Sequence, residues 1–590
     1  MLAIAAGGVV LVPRALGALR RLRLDIHVLM SLAVIGAVVL GQWDEAATVA
    51  FLFGLSEALE MMSLQRAQRA VRSLLEIAPE TAERVLADGR VETVDARTIV
   101  VGDRVRVRAG ERFPVDGSVL EGRSSADQRA ITGESMPVPC GPGDSVYAGT
   151  VNGEGTVEVE ATRKLGDSLI SRIVERVRAA QAGRAPTERA IERFAVVYTP
   201  IVLGLALLFM FGPPLARMAA GSPPEWANWF YRGLVVLVIS CPCALVIGTP
   251  VAVVSALTAA ARRGVLIKGG QHLEEFGRLR ILAFDKTGTL TLGDPDVVEV
   301  ATTEGHTDSD ILRIAAAIGD RGNHVVGRAI ARYARDLSIE LPEARDYRAV
   351  PGLGATCEVG STRYQLGSHR FLDEAGCCRP DFHASMEGAE SNVGTSVALS
   401  GSEGPLGWIR LADRPRPEAA GMISELKKLG IGSVMLTGDN ARTAAAMARE
   451  LGIDDQRAQL LPDDKVKAIV DLNDHRGPTG MVGDGVNDAP ALAAARVSVA
   501  LRGISSGAAL ETADIVLMSD DLSKLPWLVR LSRKTLGRIR QNIALAIGAK
   551  VLVMFLALFG LATLWMAIVA DVGVSLLVVA NALRLLRGTT

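Results

Sequence analysis

A cysteine pair split by a proline stands in the middle of one long apolar run. The run covers residues 233–257, and Cys241-Pro242-Cys243 lies near its centre. A segment of this length has to satisfy its backbone hydrogen bonds internally when it crosses a membrane, which favours a helix. Pro242 has no N–H group and its ring clashes with the preceding turn, so we expect the helix to break here and release backbone carbonyls.

The break decides what the two thiols can bind. Residues two apart do not share a face of an intact helix, whereas a broken helix lets Cys241 and Cys243 aim at one point. Thiolates prefer Zn²⁺, Cu⁺ and related soft cations to Mg²⁺ or Ca²⁺. A buried cysteine is often only a small hydrophobic residue, but two of them beside a proline within a span favour a site for a soft metal ion.

The composition agrees with a membrane enzyme and gives no sign of a nucleic-acid surface. Of the 590 residues, 49% are hydrophobic, and 64 basic residues nearly balance 65 acidic ones. This balance leaves no basic excess for binding nucleic acid. The cysteine spacing is not that of a disulfide framework, so we expect reducing surroundings for the soluble parts. The cysteines are Cys140, Cys241, Cys243, Cys357, Cys377 and Cys378.

Hydropathy predicts an N-terminal apolar fragment and a series of membrane spans. The fragment is 1–17, and the spans are 26–42, 45–64, 194–212, 231–257, 540–560 and 563–584. Arginine and lysine clusters flank the spans on alternate sides, and the preference of positive charge for cytoplasmic loops places these clusters in the cytoplasm. The two long insertions, roughly 66–188 and 264–538, are therefore predicted to be cytosolic.

The number of spans also makes a prediction about the N-terminus. If residues 1–17 cross the membrane, a cytoplasmic C-terminus puts residue 1 on the outside. We therefore expect a preceding span, with or without a cytosolic N-terminal domain, in front of this sequence. The alternative is that residues 1–17 form an interfacial helix that does not cross.

Three apolar segments of the second insertion each end in a polar turn. ILAF precedes Asp285 and KTGTLT follows it, and the segments 434–440 (VMLTGDN) and 481–490 (MVGDGVNDAP) repeat the pattern. Short apolar runs bounded by turn residues are typical of buried strands, and α/β sheets bind ligands at the carboxyl ends of their strands. We predict that these strand ends converge on one phosphate and one Mg²⁺. A carboxylate there can attack a γ-phosphate and form an aspartyl-phosphate.

The order of four motifs resembles that of the P-type ATPases, in particular the branch that transports heavy metals. The motifs are TGES at 132–135, DKTGT at 285–289, TGD at 437–439 and GDGVND at 483–488. The resemblance covers almost the whole chain. It implies a multidomain membrane protein, in which an α-helical transmembrane bundle carries a β-rich actuator domain, a Rossmann-like phosphorylation domain of haloacid-dehalogenase type and an α/β nucleotide-binding domain.

The resemblance also implies domain boundaries and a setting. The transmembrane segments are 1–65, 189–263 and 536–590; the actuator domain is 66–188; the phosphorylation domain is 264–295 and 412–535; and the nucleotide-binding domain is 296–411. The protein so described is a monomeric, multi-pass protein of the cell membrane. It acts on metal ions, contacts lipid and keeps its catalytic domains in the cytosol.

Each catalytic residue receives a role from the resemblance. Asp285 is the phosphorylated nucleophile, and Asp484 binds Mg²⁺ with help from Asp285 and the Thr287 carbonyl. Asp488 supports this Mg²⁺ site. Related phosphatases carry an acid–base aspartate at the position of Thr287, so the phosphoenzyme is expected to persist until another group hydrolyses it.

Two further groups complete the implied catalytic machinery. The group that surrounds the phosphoryl group consists of Thr437, Gly438, Asp439 and Lys465. The group in the actuator domain consists of Thr132, Gly133 and Glu134. Thr437 and Lys465 hold and neutralise the phosphoryl group. Glu134 positions the hydrolytic water after the actuator domain has rotated into place.

The implied nucleotide is ATP, bound by His324, Gly352 and Gly354. His324 aligns with a histidine that family members place against the adenine, and the glycines fit a family motif, although such a pair is also typical of any tight turn. Val325 replaces the usual proline, and Asp320 stands where glutamate is common. These two departures predict a reduced affinity for ATP.

Charged residues in the last two spans bear on which metal is moved. Lys550 lies nine residues after Gln541, about 13 Å along a helix, which is deep for snorkelling. A lysine there needs an anion, and Asp571 in the next span supplies one. Two thiolates and one carboxylate around a divalent ion leave about one negative charge, which one ammonium balances. This set resembles the zinc, cadmium and lead exporters, whose members combine this lysine and aspartate with Cys-Pro-Cys.

The implied function is ATP-driven export of Zn²⁺, Cd²⁺ or Pb²⁺ from the cytosol through an aspartyl-phosphate. Lys550 serves as the counter-ion of the emptied site. Glu45, at the outer start of the second span, is an exit candidate for the ion. The alternative is that Glu45 is solvated at the N-terminus of its helix and that its negative charge stabilises the helix there. Glu57, within the same span, is a weaker exit candidate.

Rival functions stay open at this point. A copper(I) pump would carry polar, Met and Ser residues in the last two spans in place of Lys550 and Asp571. A membrane-tethered phosphatase of haloacid-dehalogenase type is disfavoured by Thr287 and by TGES. A metal sensor without activity is disfavoured by the complete set of catalytic motifs. The sequence does not rank the divalent ions and identifies no delivery partner.

Overall fold

The computed structural model divides the chain into two compact units. The first unit consists of Met1–Arg278, Asp514–Ser519 and Trp527–Thr590, and the second of Leu279–Ala513 and Asp520–Pro526. The structure describes residues 13–17, 20, 26–72, 79–132, 136–183, 185–322, 324–350, 353–374, 382, 384–386, 394–402, 404–484, 488–501 and 512–587. The prediction for residues 1–17 falls mostly outside these ranges.

Helices and strands are numbered here in chain order. The helices are α1 (Ile26–Val39), α2 (Trp43–Arg72), α3 (Arg129–Thr132), α4 (Leu169–Ala182), α5 (Pro186–Ala219), α6 (Trp226–Ile239), α7 (Cys243–Ala261), α8 (Gly270–Arg278), α9 (Asp308–Asp320), α10 (Val325–Asp336), α11 (His369–Glu374), α12 (Ala419–Lys428), α13 (Ala441–Leu451), α14 (Pro462–His475), α15 (Ala489–Ala494), α16 (Lys524–Leu558) and α17 (Leu564–Leu583). The strands are β1 (Thr81–Val85), β2 (Val91–Asp95), β3 (Arg104–Val107), β4 (Gly117–Glu121), β5 (Ser124–Asp127), β6 (Val138–Cys140), β7 (Ser145–Val146), β8 (Val151–Asn152), β9 (Val157–Ala161), β10 (Val265–Ile267), β11 (Ile281–Asp285), β12 (Thr291–Thr302), β13 (Ala344–Val350), β14 (Gly354–Val359), β15 (Thr362–Gly367), β16 (Thr395–Gly401), β17 (Gly404–Pro415), β18 (Gly432–Leu436), β19 (Asp455–Arg457), β20 (Thr479–Gly483), β21 (Val497–Ala500) and β22 (Ile515–Leu517).

Among the described residues of the first unit, four helical segments have the length and apolar composition to cross a membrane. They are Pro186–Ala219, Trp226–Ala261, Lys524–Ala557 and Leu564–Leu586, and His27–Val39 is a shorter apolar helix. Helix α2 covers the predicted span 45–64 and packs against α1, α7 and α17. These helices share an apolar core that includes Leu29, Val49, Leu237 and Ile568.

The predicted helix break at Pro242 is present. Helix α6 ends at Ile239 and α7 begins at Cys243, with Pro242 as its N-terminal cap residue. The break follows from the missing N–H of Pro242 and from the clash of its ring with the preceding turn. The carbonyls just before it are therefore available to a partner outside the helix.

Helix α5 is longer than the predicted span 194–212. It continues through Pro213 and Pro214 to Ala219. Arg217 stabilises this extension, because its guanidinium donates to the Pro223 carbonyl at 2.8 Å and to the Glu225 carboxylate at 2.7 Å. The connection between α5 and α6 is accordingly shorter than the interval between the predicted spans 194–212 and 231–257.

The β-rich region predicted for the first insertion is built from antiparallel strands. One sheet has the order β2-β1-β3-β9-β4-β7 and a smaller one the order β6-β5-β8. Buried valines alternate along two of the strands, Val105 and Val107 in β3 and Val157 and Val159 in β9. This alternation puts one face of the larger sheet into an apolar core.

Asp116 ties this sheet to the helix that follows it. Its carboxylate accepts hydrogen bonds from the backbone N–H groups of Ala148, at 2.9 Å, and Leu169, at 2.7 Å. The Asp116 side chain is almost completely buried. It therefore satisfies two backbone donors that have no access to water, one in the sheet region and one at the start of α4.

The second unit contains a parallel sheet and an antiparallel one. Strands β21, β20, β11, β18 and β19 lie side by side in that order and are parallel. Every residue of β11 and of β20 is buried, as expected for parallel strands covered on both faces. The antiparallel sheet has the order β12-β17-β16-β15-β14-β13, and α9 and α10 pack against it. Strands β12 and β17 pair with each other and link the two sheets.

We expect Asp116→Ala to lower the free energy of unfolding of the sheet region by about 2 to 4 kcal/mol, because two buried N–H groups lose their acceptor. Hydrogen exchange of the intact protein should show faster exchange at the amides of Ala148 and Leu169. Asp167→Ala is the matched control, since Asp167 is exposed. Equal exchange rates in wild type and Asp116→Ala would contradict this role.

Candidate functional site

The three predicted strand ends do converge. Asp285 is the last residue of β11, and its register partner on the neighbouring parallel strand β18 is Leu436, just before Thr437. On the other side β20 runs parallel to β11 and leads into Asp484. The carboxyl ends of these adjacent strands therefore bring the DKTGT, TGD and GDGVND motifs to one edge of the sheet.

Lys465 connects two carboxylates at this edge. Its ammonium, carried on α14, donates to Asp285 Oδ1 at 2.6 Å and to Asp488 Oδ1 at 2.7 Å. Asp285 and Asp488 are both buried. One buried cation thus orients two of the predicted site residues and offsets their charge.

The loops after β11 and β18 are also joined. Lys286 forms an ion pair with Asp439, and the Asp439 N–H donates to the Thr437 hydroxyl at 3.1 Å. Thr437 is nearly inaccessible, and its N–H donates to the Arg457 carbonyl at 3.0 Å. Gly438 lies between Thr437 and Asp439. The TGD turn is therefore fixed to the residue that follows Asp285.

The Asp285 carboxyl has an unusual protonation equilibrium. Burial, together with the negative charges of Asp488 and Asp484, raises its pKa to about 6, and Lys465 opposes this shift. Asp488 Oδ2 is buried and has no hydrogen-bond partner among the described residues. Negative charge therefore gathers at this site, and one buried oxygen of Asp488 is left without a donor among the described residues.

Arg416 was not predicted from the sequence, although it holds the DKTGT loop. Its buried guanidinium donates to the Thr289 carbonyl at 2.9 Å and the Gly288 carbonyl at 3.2 Å, and pairs with Asp520 at 3.4 Å. Its own N–H donates to the Leu290 carbonyl at 2.9 Å. The signal that was available is its place in RPRP, where prolines on both sides restrict the backbone.

Asp413 is a second unpredicted residue of the same loop. Its carboxylate accepts from the Thr291 hydroxyl at 2.5 Å and from the Gly293 N–H at 3.0 Å. The Thr291 hydroxyl in turn accepts from the Gly288 N–H at 3.2 Å. Gly288 has φ +74°, a left-handed conformation that favours glycine. The end of β17 therefore fixes the turn that follows Asp285.

The actuator motif is described only at its first residue. Thr132 ends α3, is buried, and donates through its hydroxyl to the Gln128 carbonyl at 3.1 Å. Gly133 and Glu134 lie outside the described residues. A side chain on Gly264 would come within 2.1 Å of the Thr132 carbonyl, so the backbone approaches the motif closely there.

The predicted nucleotide residues lie on separate elements of the antiparallel domain. His324 is exposed and precedes α10 as its N-terminal cap residue. Gly354 begins β14, where its Cβ would meet the Leu366 carbonyl at 2.3 Å, and Gly352 lies outside the described residues. Asp320, at the end of α9, forms an ion pair with Arg335. This ion pair gives Asp320 a structural partner within its own domain.

In the first unit, the membrane residues singled out from the sequence come together around Lys550. Its ammonium donates to Asp571 Oδ1 at 2.7 Å, to the Ile239 carbonyl at 3.0 Å and to the Cys241 carbonyl. An ammonium has three N–H donors, and all three have an acceptor here. The two carbonyls are among those released by the break at Pro242, which the sequence analysis did not connect with Lys550.

Cys241, Cys243 and Asp571 form a compact group of ligand atoms. Their sulfur and carboxylate oxygen atoms all lie within 4.8 Å of one another, and both cysteines are buried. The two sulfurs are joined as a disulfide. The cysteine spacing did not predict this bond, and the same break that aims both sulfurs at one point also lets them bond. Metal binding through thiolates therefore requires the reduced pair.

Two acidic residues of α2, Glu45 and Glu57, have protein partners. Glu45 accepts a hydrogen bond from the Tyr231 hydroxyl at 2.8 Å, and the same hydroxyl accepts from the Leu564 N–H at 3.0 Å. The second Glu45 carboxylate oxygen is buried and has no hydrogen-bond partner in the described part of the chain. Glu57 pairs with Arg14. Glu45 thus faces the helix bundle, which differs from a solvated helix N-terminus.

Two family models match the chain. The model of the haloacid dehalogenase-like hydrolases matches residues 279–496, and that of the P-type ATPase actuator domain matches residues 76–178. The hydrolase model contains Asp285 and the motifs at the edge of the parallel sheet. The actuator model contains TGES and the two antiparallel sheets built from β1 to β9. Both matches agree with the fold class predicted from the sequence.

Similar proteins extend over nearly the whole chain. A probable cadmium-transporting ATPase of Staphylococcus aureus (strain MRSA252) is 43% identical over 96% of this chain and 78% of its own length. A zinc/cadmium/lead-transporting P-type ATPase of Escherichia coli (strain K12) is 44% identical over 95% of this chain and 75% of its own.

A solved structure agrees with these sequence relatives. The crystal structure of a zinc-transporting PIB-type ATPase in the E2.Pi state matches 99% of this chain and 94% of its own, with a TM-score of 0.65 and 42% identity. The family predicted from the four motifs is confirmed, as is the prediction of a multi-pass membrane protein. The chain therefore belongs to the P-type ATPases and, within them, to the PIB-type group.

Proposed function

We propose that this ATPase exports Zn²⁺, Cd²⁺ and Pb²⁺ from the cytosol, with ATP as its phosphoryl donor. The observation that carries the proposal is the ammonium of Lys550, which contacts Asp571 and the backbone carbonyls of Ile239 and Cys241. The names of the relatives from E. coli and S. aureus support divalent ions over copper(I). The cysteines act in the reduced form.

The charges of the membrane site favour a divalent ion. Two thiolates and the Asp571 carboxylate carry three negative charges, and a divalent ion with the Lys550 ammonium supplies three positive ones. A monovalent ion in the same place would leave one negative charge unbalanced in a low-dielectric environment. When the divalent ion leaves, Lys550 stays as the counter-ion of Asp571, so the carboxylate is never left unpaired.

Phosphoryl transfer is assigned to Asp285. Its Oδ1 is engaged by Lys465, whereas its Oδ2 has no hydrogen bond among the described residues. Oδ2 attacks the γ-phosphorus of ATP, the bond to the bridging oxygen breaks, and ADP leaves. Lys465 and Thr437 then lie next to the new acyl phosphate, where a cation and a hydroxyl stabilise its negative charge.

Mg²⁺ fits the residues around Asp285. The unpartnered oxygen of Asp488 and the raised pKa of Asp285 both indicate negative charge that a divalent cation would relieve. Asp285, Asp484 and the Thr287 carbonyl would hold the ion, with Asp488 supporting them. When bound, Mg²⁺ neutralises charge on the phosphoryl group.

Hydrolysis of the phosphoenzyme is assigned to TGES. Thr287 has no carboxylate and cannot act as the acid–base group at that position. Glu134 positions the water, with Thr132 and Gly133 shaping the loop around it. His324, Gly352 and Gly354 are assigned to ATP, and Glu45 to the exit of the ion, since one of its oxygens is buried beside Tyr231 without a partner in the described part of the chain.

Arg416 is assigned a positioning role in the same reaction. It does not contact Asp285 but donates to two carbonyls of the turn that follows it. The flanking prolines restrict its backbone, and burial together with its hydrogen bonds holds the guanidinium in one orientation. Arg416 therefore fixes the path of the DKTGT loop and, through it, the direction of the Asp285 carboxylate.

The function is tested by ATP hydrolysis of the purified, reduced protein in lipid. We expect Zn²⁺, Cd²⁺ and Pb²⁺ to stimulate hydrolysis at least tenfold, because the membrane site balances a divalent charge, and Cu⁺ to stimulate it far less. Asp285→Asn should abolish the stimulated activity. Stimulation by Cu⁺ alone would overturn the assignment of Lys550 and Asp571.

Replacing the carboxylate of the membrane site should separate ion binding from catalysis. In Asp571→Asn the divalent ion loses one anionic ligand while Lys550 stays, so we expect at least a tenfold weaker affinity for Zn²⁺, measured by equilibrium binding to the reduced protein. ATP-dependent activity should fall in parallel. Asp44→Asn, at the exposed start of α2, is the matched control. Unchanged Zn²⁺ affinity in Asp571→Asn would exclude the carboxylate as a ligand.

Arg416→Ala should slow formation of the phosphoenzyme about tenfold or more, since loss of the guanidinium leaves two carbonyls of the catalytic loop without their donor. KM for ATP should change little, because the contacts of Arg416 within the described part of the chain do not include His324 or Gly354. Arg416→Lys should recover part of the rate. Arg414→Ala is the control, since Arg414 is 67% exposed and pairs with Asp296. A raised KM with an unchanged maximal rate would argue against the positioning role.

A further inference from the structure

A cleft of about 540 Å³ opens between α16 and α17. Its position along both helices is near the cytoplasmic end of the membrane: Gln541 follows the basic residues Arg538 and Arg540, and Arg584 follows the last turn of α17. Positive residues at the ends of spans mark the cytoplasmic interface. The cleft therefore lies at the level of the inner-leaflet headgroups.

One part of the cleft is apolar and faces outward. It is lined by Leu545, Leu577 and Ala580, and Leu545 and Leu577 are 42% and 59% exposed. Next to a bilayer such side chains contact hydrocarbon chains. This part of the cleft thus suits the acyl chains of a lipid and would not be needed to bind a small soluble anion.

The other part of the cleft is polar, and its amide oxygens are already occupied. Arg538 donates to Gln541 Oε1 at 3.0 Å and to Asn581 Oδ1 at 2.8 Å. Asn581 Nδ2 donates to Asn542 Oδ1 at 2.8 Å, and Asn542 Nδ2 to the Val578 carbonyl at 3.3 Å. Each amide oxygen in the wall therefore accepts a hydrogen bond from a protein donor.

Some hydrogen-bond donors of the cleft, in contrast, are still available to a ligand. The amide N–H groups of Gln541 and the guanidinium of Arg584 have no acceptor within the residues that the structure describes. Arg584 carries a full positive charge, and Arg538 stands behind the amides. Donors and positive charge beside an apolar surface match an anionic group attached to a hydrocarbon chain.

We propose that the cleft between α16 and α17 binds an anionic phospholipid of the inner leaflet. Its phosphate accepts from Arg584 and Gln541, and its acyl chains lie along Leu545 and Leu577. The site is separate from the metal and phosphorylation sites. It does, however, lie on the two helices that carry Lys550 and Asp571, and the Asn581–Asn542 hydrogen bond in its wall joins those helices directly.

Lipid binding is measured by native mass spectrometry of the intact protein in mild detergent, titrated with phosphatidylglycerol and with phosphatidylcholine of the same chains. We expect phosphatidylglycerol to bind at least fivefold more tightly. Arg584→Gln should remove this preference, whereas Arg540→Gln, which makes the same charge change at an exposed residue outside the cleft lining, should keep it. Leu545→Trp fills the cleft without changing its charge and should also lower the affinity for phosphatidylglycerol.

Three outcomes would overturn the proposal. Equal binding of the two lipids would mean that the headgroup charge is not recognised. Equal losses in Arg584→Gln and Arg540→Gln would mean that the basic surface attracts anionic lipid without a defined site. Full competition by glycerol 3-phosphate at the concentration of the lipid would mean that the site recognises a soluble phosphate. Melting curves of each variant show whether it is folded, and none of these readouts depends on transport or ATP hydrolysis.

Discussion

The membrane half of this protein depends on where one buried ammonium finds its acceptors. Lys550 would be costly within the membrane if any of its three N–H donors were unsatisfied. Pro242 releases two backbone carbonyls, which accept hydrogen bonds from two of the N–H groups, and the Asp571 carboxylate accepts the third. The helix break at Pro242 therefore determines the direction of the cysteines and also allows the positive charge of Lys550 to lie beside them. Removing any of the three acceptors would leave either a charge or a donor without a partner.

At the phosphorylation site, too, single cations connect several parts of the site. Lys465 serves Asp285 and Asp488 at once, and Lys286 joins the DKTGT loop to the TGD turn. The parallel sheet supplies the convergence, because neighbouring parallel strands end at the same edge. The side chains then fix the loops that follow those strands. Backbone topology thus determines which motifs meet, and a few cations determine how they are oriented.

Much of this was predictable from the sequence, for local reasons. The parallel strands and their catalytic turns follow from short apolar runs ending in polar residues, and the need of Lys550 for an anion follows from its depth. The contact between Lys550 and the Cys241 carbonyl was not predictable, because it joins residues 309 positions apart and depends on how two helices pack. Arg416 was missed because its acceptors are carbonyls, which leave no mark in the sequence. The length of α5 was missed because its extension depends on the contacts of Arg217 with Pro223 and Glu225. The disulfide was missed because it depends on how the break at Pro242 directs the two sulfurs.

The pairing of β12 with β17 has a mechanical consequence. These two strands carry the chain from the parallel sheet to the antiparallel domain and back, and Asp413 and Arg416 fix their near end to the loop after Asp285. The near ends of the two strands, 291–296 and 412–415, form a two-stranded ribbon, whereas β16 pairs with β17 up to Leu411. Such a ribbon bends and twists more easily than a wider sheet, but it resists stretching, because stretching breaks the ladder. The antiparallel domain is therefore joined to the loop after Asp285 by a connection whose length is fixed by hydrogen bonds and whose angle is less constrained. The distance between a group bound to the antiparallel domain and the Asp285 carboxylate then depends on the angle of this connection.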